Sequence, residues 1–352
     1  MTRRIILIAA IASGALLTAG CVKLDNPAQE QNSICFQAGC SLLREDVTTK
    51  GTTESFTSND DTFSIFGERI TSSEEHALIF NGDVVKHSYD GGSTDSWTYN
   101  QVRYWSWASQ SDRYDFVAVS PALNATTNEN AAGNLSVSTH YNCYVEGQPE
   151  SGDQYDLLAA TYRRNGSSWD RRYETVSLNF SHMGSAVGIK ITNNSAAATT
   201  ISVTSLYFQN LVVSADAKVS LDAYGRTLMR WVNPTPSRAS VRQITYSPAV
   251  SIDSGQSYPA EGQPDYQIMI PQDLNLYEAK MVLNYQVGDE SFSSEIPLAS
   301  IKRNDDTAIT SWEIGHKYNY NIYVRMDGGL LVTVYTTPWD VPVAAETPGI
   351  LI

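Results

Sequence analysis

The sequence predicts an all-β protein: two β-sandwich domains in tandem, set behind a leader and a tether. Three observations point there. Short runs of alternating apolar and polar residues recur along most of the chain, separated by turn residues. Tyr (20) and Trp (7) are abundant while charged residues make up only 18%, and aromatic and β-branched side chains suit half-buried pleated surfaces. No convincing amphipathic helix appears, and no fixed period signals a solenoid or propeller. A chain of 352 residues has room for about two domains with cores of their own.

The leader is residues 1–20. Arg3 and Arg4 precede an apolar run, Ile5 to Leu17, broken only by Ser13 and Gly14. Thr18-Ala19-Gly20 then places three small residues before Cys21. That is the pattern of a secretory signal peptide, with cleavage between Gly20 and Cys21. The run is short for a membrane span, which needs about 20 apolar residues. Small residues directly before a cysteine resemble a bacterial lipobox, which implies lipid attachment at Cys21. Thr18 stands where Leu is usual, with Leu17 one step further out. Removing residues 1–20, with two arginines and no acids, takes the formal charge from −14 to −16. So acidic a surface argues against nucleic acid as a partner, and an anionic membrane face repels it too. The membrane link falls to the anchor, stable with two or more acyl chains.

Residues 21–55 read as a lipidated tether. Ile34-Cys35-Phe36 is its one apolar interruption and a candidate first strand. Arg44 is a lone basic residue in the accessible stretch Ser41–Glu45, where nicking concentrates. The N-terminal domain is assigned to 56–225. It opens on a strand at Phe63–Phe66, and Asn81-Gly82 between apolar runs predicts a hairpin. Tyr114–Pro121 is apolar on both faces, as in a buried strand. Residues 122–139, rich in Asn, Ala, Thr and Gly, read as a loop. Tyr155–Tyr162 fits either a strand or a helical turn. Val176–Phe180, Ala186–Thr192, Ile201–Phe208 and Ala217–Leu221 alternate, with a bend at Ser181–Ser185. Gly, Pro, Arg and Ser dominate 222–245, and the C-terminal domain is assigned to 226–352. Its strands fall at 241–246, 266–271, 280–287, 294–298, 312–324 and 330–335.

No reactive constellation stands out. The five histidines, His76, His87, His140, His182 and His316, are scattered singly, without metal-ligand spacing. His182, beside Phe180 and Met183, reads as a packed residue. No nucleophile elbow, Walker loop or dinucleotide fingerprint is present. The acidic pairs Asp60-Asp61, Glu74-Glu75 and Asp305-Asp306 lack a calcium-loop pattern and read as solvated turns. No catalytic residue, metal or cofactor is therefore assigned. Cys35 and Cys40 can close a small loop in an oxidising compartment, or they and Cys143 can remain thiols. The aromatic cluster Trp97, Tyr99, Tyr104, Trp105 and Trp107 fits a sandwich core better than a sugar-stacking surface.

The order of several segments resembles the fimbrillin family, the Mfa-like and major-fimbrillin-like pilin lipoproteins of Gram-negative anaerobes. The residues are Phe63–Gly67, Tyr104-Trp105, Tyr114–Pro121, Asp156–Ala159, Val176–Val187, Ile268–Gln272 and Trp312–Tyr320. Phe180-Ser181-His182-Met183-Gly184-Ser185 and the Trp-x-x-Gly-x-x-Tyr-x-Tyr run from Trp312 are the most specific. The resemblance implies transthyretin-like sandwiches in a lipoprotein anchored at the outer membrane and exposed on the cell surface. It also implies a trypsin-like cut after a basic residue in the first strand, Arg44 first and Lys50 second. The vacated groove then takes an extended segment of a neighbouring subunit. Val341, Val343 and Ala345 alternate as a donor would, but Pro342 and Pro348 interrupt them. The expected role is a fimbrial subunit or adhesin without enzymatic activity. Its partners are neighbouring subunits, the outer membrane through the anchor, and a host or bacterial surface glycan or protein. The alternative is a monomeric glycan-binding surface lipoprotein.

Overall fold

The computed structural model describes residues 32–40, 55–88, 96–122, 125–129, 135–143, 155–167, 171–195, 199–238, 241–260, 266–303 and 305–339. In chain order the strands of the first part are β1 Phe36–Cys40, β2 Thr62–Ile70, β3 His76–Ser88, β4 Ser96–Thr98, β5 Arg113–Ser120, β6 Thr126–Glu129, β7 Leu135–Asn142, β8 Leu158–Asn165 and β9 Val176–His182. There follow β10 Ser185–Asn193, β11 Ile201–Gln209, β12 Leu211–Leu221, β13 Thr227–Ser237, β14 Val241–Ile252, β15 Ser257–Tyr258, β16 Tyr266–Met269 and β17 Gln272–Asp273. The last are β18 Lys280–Val287, β19 Glu290–Pro297, β20 Ser311–Trp312, β21 His316–Val324 and β22 Leu330–Pro338. A 3-10 turn, Leu298–Ser300, follows β19. The protein is all-β, as its alternating patterns predict.

Four sheets carry the fold. The first has seven strands in the order β1-β9-β8-β5-β2-β3-β4, and its neighbour runs β13-β12-β7-β6. Two more layers face each other in the C-terminal part: β15-β10-β21-β22 with β16 added to β10, and β14-β11-β18-β19. Residue 225 lies in the turn between β12 and β13, while β10 and β11, both before it, pair with β21 and β18, both after it.

The two faces of the seven-stranded sheet bury different residues because side chains alternate along each strand. Phe63, Ile65, Phe116 and Ala118 point into one aromatic-rich cluster with Ile34, Phe36, Phe80 and Phe180. Phe66, Val117, Val119 and Ala159 point the other way, against Val137 and Tyr141 of β7 and Ala215, Ala217 and Val219 of β12. This explains why Tyr114–Pro121 reads as apolar on both faces. The second cluster runs on without a break into the C-terminal layers, through Ile191, Val203, Phe208, Leu283, Tyr320 and Ile322.

Three local expectations are corrected. Asn81-Gly82 does not turn a hairpin; β3 runs straight through it. The ladder to β2 shifts register there, and Gly82 takes φ +81, a conformation open to glycine in a bulge. The loop expected at 122–139 contains β6 and the start of β7. The Pro-rich stretch after Gly225 is β13, an edge strand, where Pro234 and Pro236 need no second ladder partner. Of the two readings of Tyr155–Tyr162, its second half is strand, in β8.

Candidate functional site

The site with the most unusual construction is the segment 32–40, which joins the two ends of the seven-stranded sheet. On one side β1 lies parallel to β9, from Phe36 opposite Val176 to Cys40 opposite Phe180. On the other side Ser33 bridges antiparallel to Tyr104, in the run that follows β4 at the opposite edge. The Ile34 N–H donates to the Arg103 carbonyl at 2.8 Å and the Trp105 N–H donates to the Asn32 carbonyl at 2.9 Å. The Val176 N–H donates to the Cys35 carbonyl at 2.8 Å. A sheet edge otherwise presents unpaired N–H and C=O groups; here residues 32–40 pair with β9 on one side and with residues 103–105, in the run beyond β4, on the other.

The side chains of this segment fill the trough beneath it. Ile34 is fully buried and Phe36 nearly so. The Phe36 ring sits among Phe63 (6.0 Å between centroids), Phe80 (5.5 Å), Tyr99 (5.6 Å) and Phe116 (6.2 Å), all edge-on. Edge-to-face pairs of this kind add about 0.5–1.5 kcal/mol each beyond the area they bury. Gly67 permits the arrangement: a Cβ there would lie 2.9 Å from the Phe116 ring. The far end of the trough is closed by Phe56, whose ring packs on Trp97 at 5.1 Å and Phe180 at 5.3 Å. Phe56 is downstream of Arg44 and Lys50, so the chain is anchored on both sides of those residues.

Polar groups tie the rim. The Tyr99 hydroxyl donates to the Ile34 carbonyl at 2.6 Å and accepts from the Arg103 N–H at 3.2 Å. Burial pushes the Tyr99 phenol up to about 12, so it stays a donor. Trp105 and Trp107 stack 5.8 Å apart over Tyr114, whose hydroxyl accepts from the Ser106 N–H at 2.7 Å. The run is pinned at its end by Asp112. Burial pushes that carboxyl up, but the Arg69 guanidinium at 2.8 Å and the N–H groups of Ala108 and Ser109 outweigh it and hold it down to about 2.

The aromatic cluster therefore belongs to the core: Trp97, Tyr99 and Trp105 are buried, Trp107 is half-buried, and Tyr104 alone is exposed. His182 is packed, as read from the sequence. It is fully buried, 3.2 Å from Asp156 and stacked 3.6 Å from the Trp339 ring. Among the described residues no three His, Cys, Asp or Glu side chains converge on a metal position. Cys143 is a buried thiol, and Cys35 is disulfide-bonded. The partner of Cys35 lies outside the described side chains. Gly20, Cys21, Arg44, Lys50 and the segment 340–352 lie outside the described residues.

What sequence reasoning missed is the pairing itself. The apolar triplet Ile34-Cys35-Phe36 was visible, but its parallel partner is far along the chain and no local pattern names it.

The chain matches the fimbrillin-like family over residues 48–339. It belongs to that family. The match starts after β1, so the segment closing the sheet precedes the matched region. Among solved structures, a fimbrial protein from Bacteroides vulgatus is 17% identical, with TM-score 0.56, covering 88% of this chain and 99% of that one. A candidate cell-adhesion protein from Bacteroides uniformis is 16% identical, with TM-score 0.46, covering 87% and 98%. A third, from Bacteroides ovatus, is 17% identical, with TM-score 0.47, covering 88% and 98%. A search of curated proteins found no match. The first likeness supports the shared fold. Family membership makes the chain a cell-surface fimbrial protein with a structural role.

Proposed function

We propose that this fimbrial protein assembles by strand exchange at the trough under residues 32–40. The observation that carries the reading is the position of that segment. It pairs with β9 and with residues 103–105 and plugs an aromatic trough, yet it precedes the region that the family match covers. Removing it would leave unpaired backbone groups on β9 and 103–105, plus an apolar trough lined by Phe63, Phe80, Tyr99 and Phe116. An extended segment of a neighbour satisfies both, by the ordinary physics of β-augmentation. In this reading the precursor is exported, cleaved between Gly20 and Cys21, and held at the outer membrane by lipid on Cys21. A trypsin-like cut at Arg44, or else Lys50, then severs the anchored fragment from the folded body, which Phe56 keeps closed on the downstream side. The donor is the C-terminal segment of the next subunit, and the fibre serves adhesion. The glycan-binding alternative is disfavoured because three of the five clustered rings are buried.

The test is limited trypsin treatment of the purified chain, followed by mild SDS gels and electron microscopy. Ladders and fibres should appear after nicking. They should be lost when Arg44 and Lys50 are both replaced by Gln. A nicked protein that stays monomeric would overturn the assembly reading.

A further inference from the structure

Resting on the strand-exchange reading, we infer that the cut first strand stays seated and is displaced end-on by the C-terminal segment of a second copy, entering at Gly39 and advancing toward Phe36. The hold on residues 32–40 is uneven. At the Ile34 end the segment is bonded on both edges, and Ser33, Ile34 and Phe36 are buried. Tyr99 adds a further hydrogen bond there. Toward Cys40 the described pairing is to β9 alone. Gln37 and Gly39 are exposed and Ala38 is only half-buried. A Cβ built on Gly39 would meet nothing within 4 Å. A cut beyond Cys40 therefore frees the weakly held end and leaves the strongly held end in place.

Departure of the whole segment at once would break every one of these bonds and expose Phe63, Phe80, Tyr99 and Phe116 together. Replacement residue by residue exposes only a position or two at a time, so it has the lower barrier. The occupant is argued from register. Ile34, Phe36 and Ala38 place two apolar side chains and a small one on the trough face. Val341, Val343 and Ala345 repeat that order. A donor running parallel to β9, as β1 does, brings Ala345 to the Ala38 position first. Val343 then replaces Phe36 and Val341 replaces Ile34. Pro342 falls at the Cys35 position, where the bond from Val176 is accepted by a carbonyl, a group that proline retains.

The experiment follows the cut fragment by native mass spectrometry of the nicked mature chain, with a synthetic peptide of residues 335–352 added at rising concentration. Without peptide the fragment should remain bound. With peptide its loss rate should rise in proportion to concentration. Ala38→Leu, which tightens the loose end, should slow that loss about 10-fold, and Phe36→Ala should open a peptide-independent route about 100-fold faster than wild type. Should Ala38→Leu fail to fold, the wild-type concentration series decides alone. A loss rate independent of peptide concentration, with peptide binding only afterwards, overturns displacement while leaving strand exchange standing. A vacated trough that never takes up the peptide overturns strand exchange itself.

Discussion

The two halves of the molecule close their cores in different ways. In the C-terminal layers closure is internal: β21 sits between β10 and β22, in unbroken ladders to both. Its Tyr320, Ile322 and Val324 are fully buried, and the strand cannot leave without taking the sheet apart. In the seven-stranded sheet closure depends on a five-residue parallel strand at the edge and one aromatic anchor, Phe36. The first arrangement is permanent by construction. The second is a stopper, separable from the wall it completes. An exchangeable strand and a stable body can thus coexist in one chain, because they do not share the same strands.

The contrast can be broken most severely in the permanent half. Phe208→Ala should cost about 3–5 kcal/mol and unfold the whole chain at lower denaturant, since Phe208 lies in the cluster that runs through both halves. A denaturant midpoint unchanged from wild type would show that the cluster is not continuous. Phe36→Ala removes a similar ring, at a cost of about 3 kcal/mol, but its effect should stay local. Hydrogen exchange should rise in 176–180 and 103–105 and stay unchanged in 316–324. Equal loosening of all three would erase the distinction between the halves.

Much of the permanent half was legible, because its strands alternate cleanly: Ile201 to Gln209 buries every second residue over most of its length. The errors have physical causes. Asn81-Gly82 has hairpin chemistry, but the strand keeps its ladder to β2 on either side of the pair and absorbs it as a bulge. Leu135, Val137, Thr139 and Tyr141 alternate inward, yet Ser, His and Asn between them made the run look like loop. The Pro-rich β13 was not read as a strand, because edge strands tolerate the same residues as connecting segments. The trough was least legible. Its wall is assembled from β2, β3, β5 and β9, and only the aromatic composition hinted at it.

Smaller changes sharpen the picture at the stopper's rim. Tyr99→Phe keeps the ring contact with Phe36 but deletes the hydrogen bond to Ile34, and should cost about 1 kcal/mol. The readout is faster exchange of the Ile34 amide, with β21 unaffected. The smallest effect is the acid response of Asp112. Its folded pKa of about 2 lies below the 3.8 of an ordinary aspartate, so the stability it supplies is present above pH 3.8. That stability fades as pH falls through about 2. Tryptophan fluorescence from Trp105 and Trp107 should report a change in that window, and Asp112→Asn should abolish it.

The most direct test of the central claim is competition for the trough. A synthetic peptide of residues 32–40, added in excess to nicked protein, should occupy the trough and stop fibre growth, while the same peptide carrying Phe36→Ala should not. Fibres that grow equally with either peptide would show that assembly does not pass through this site.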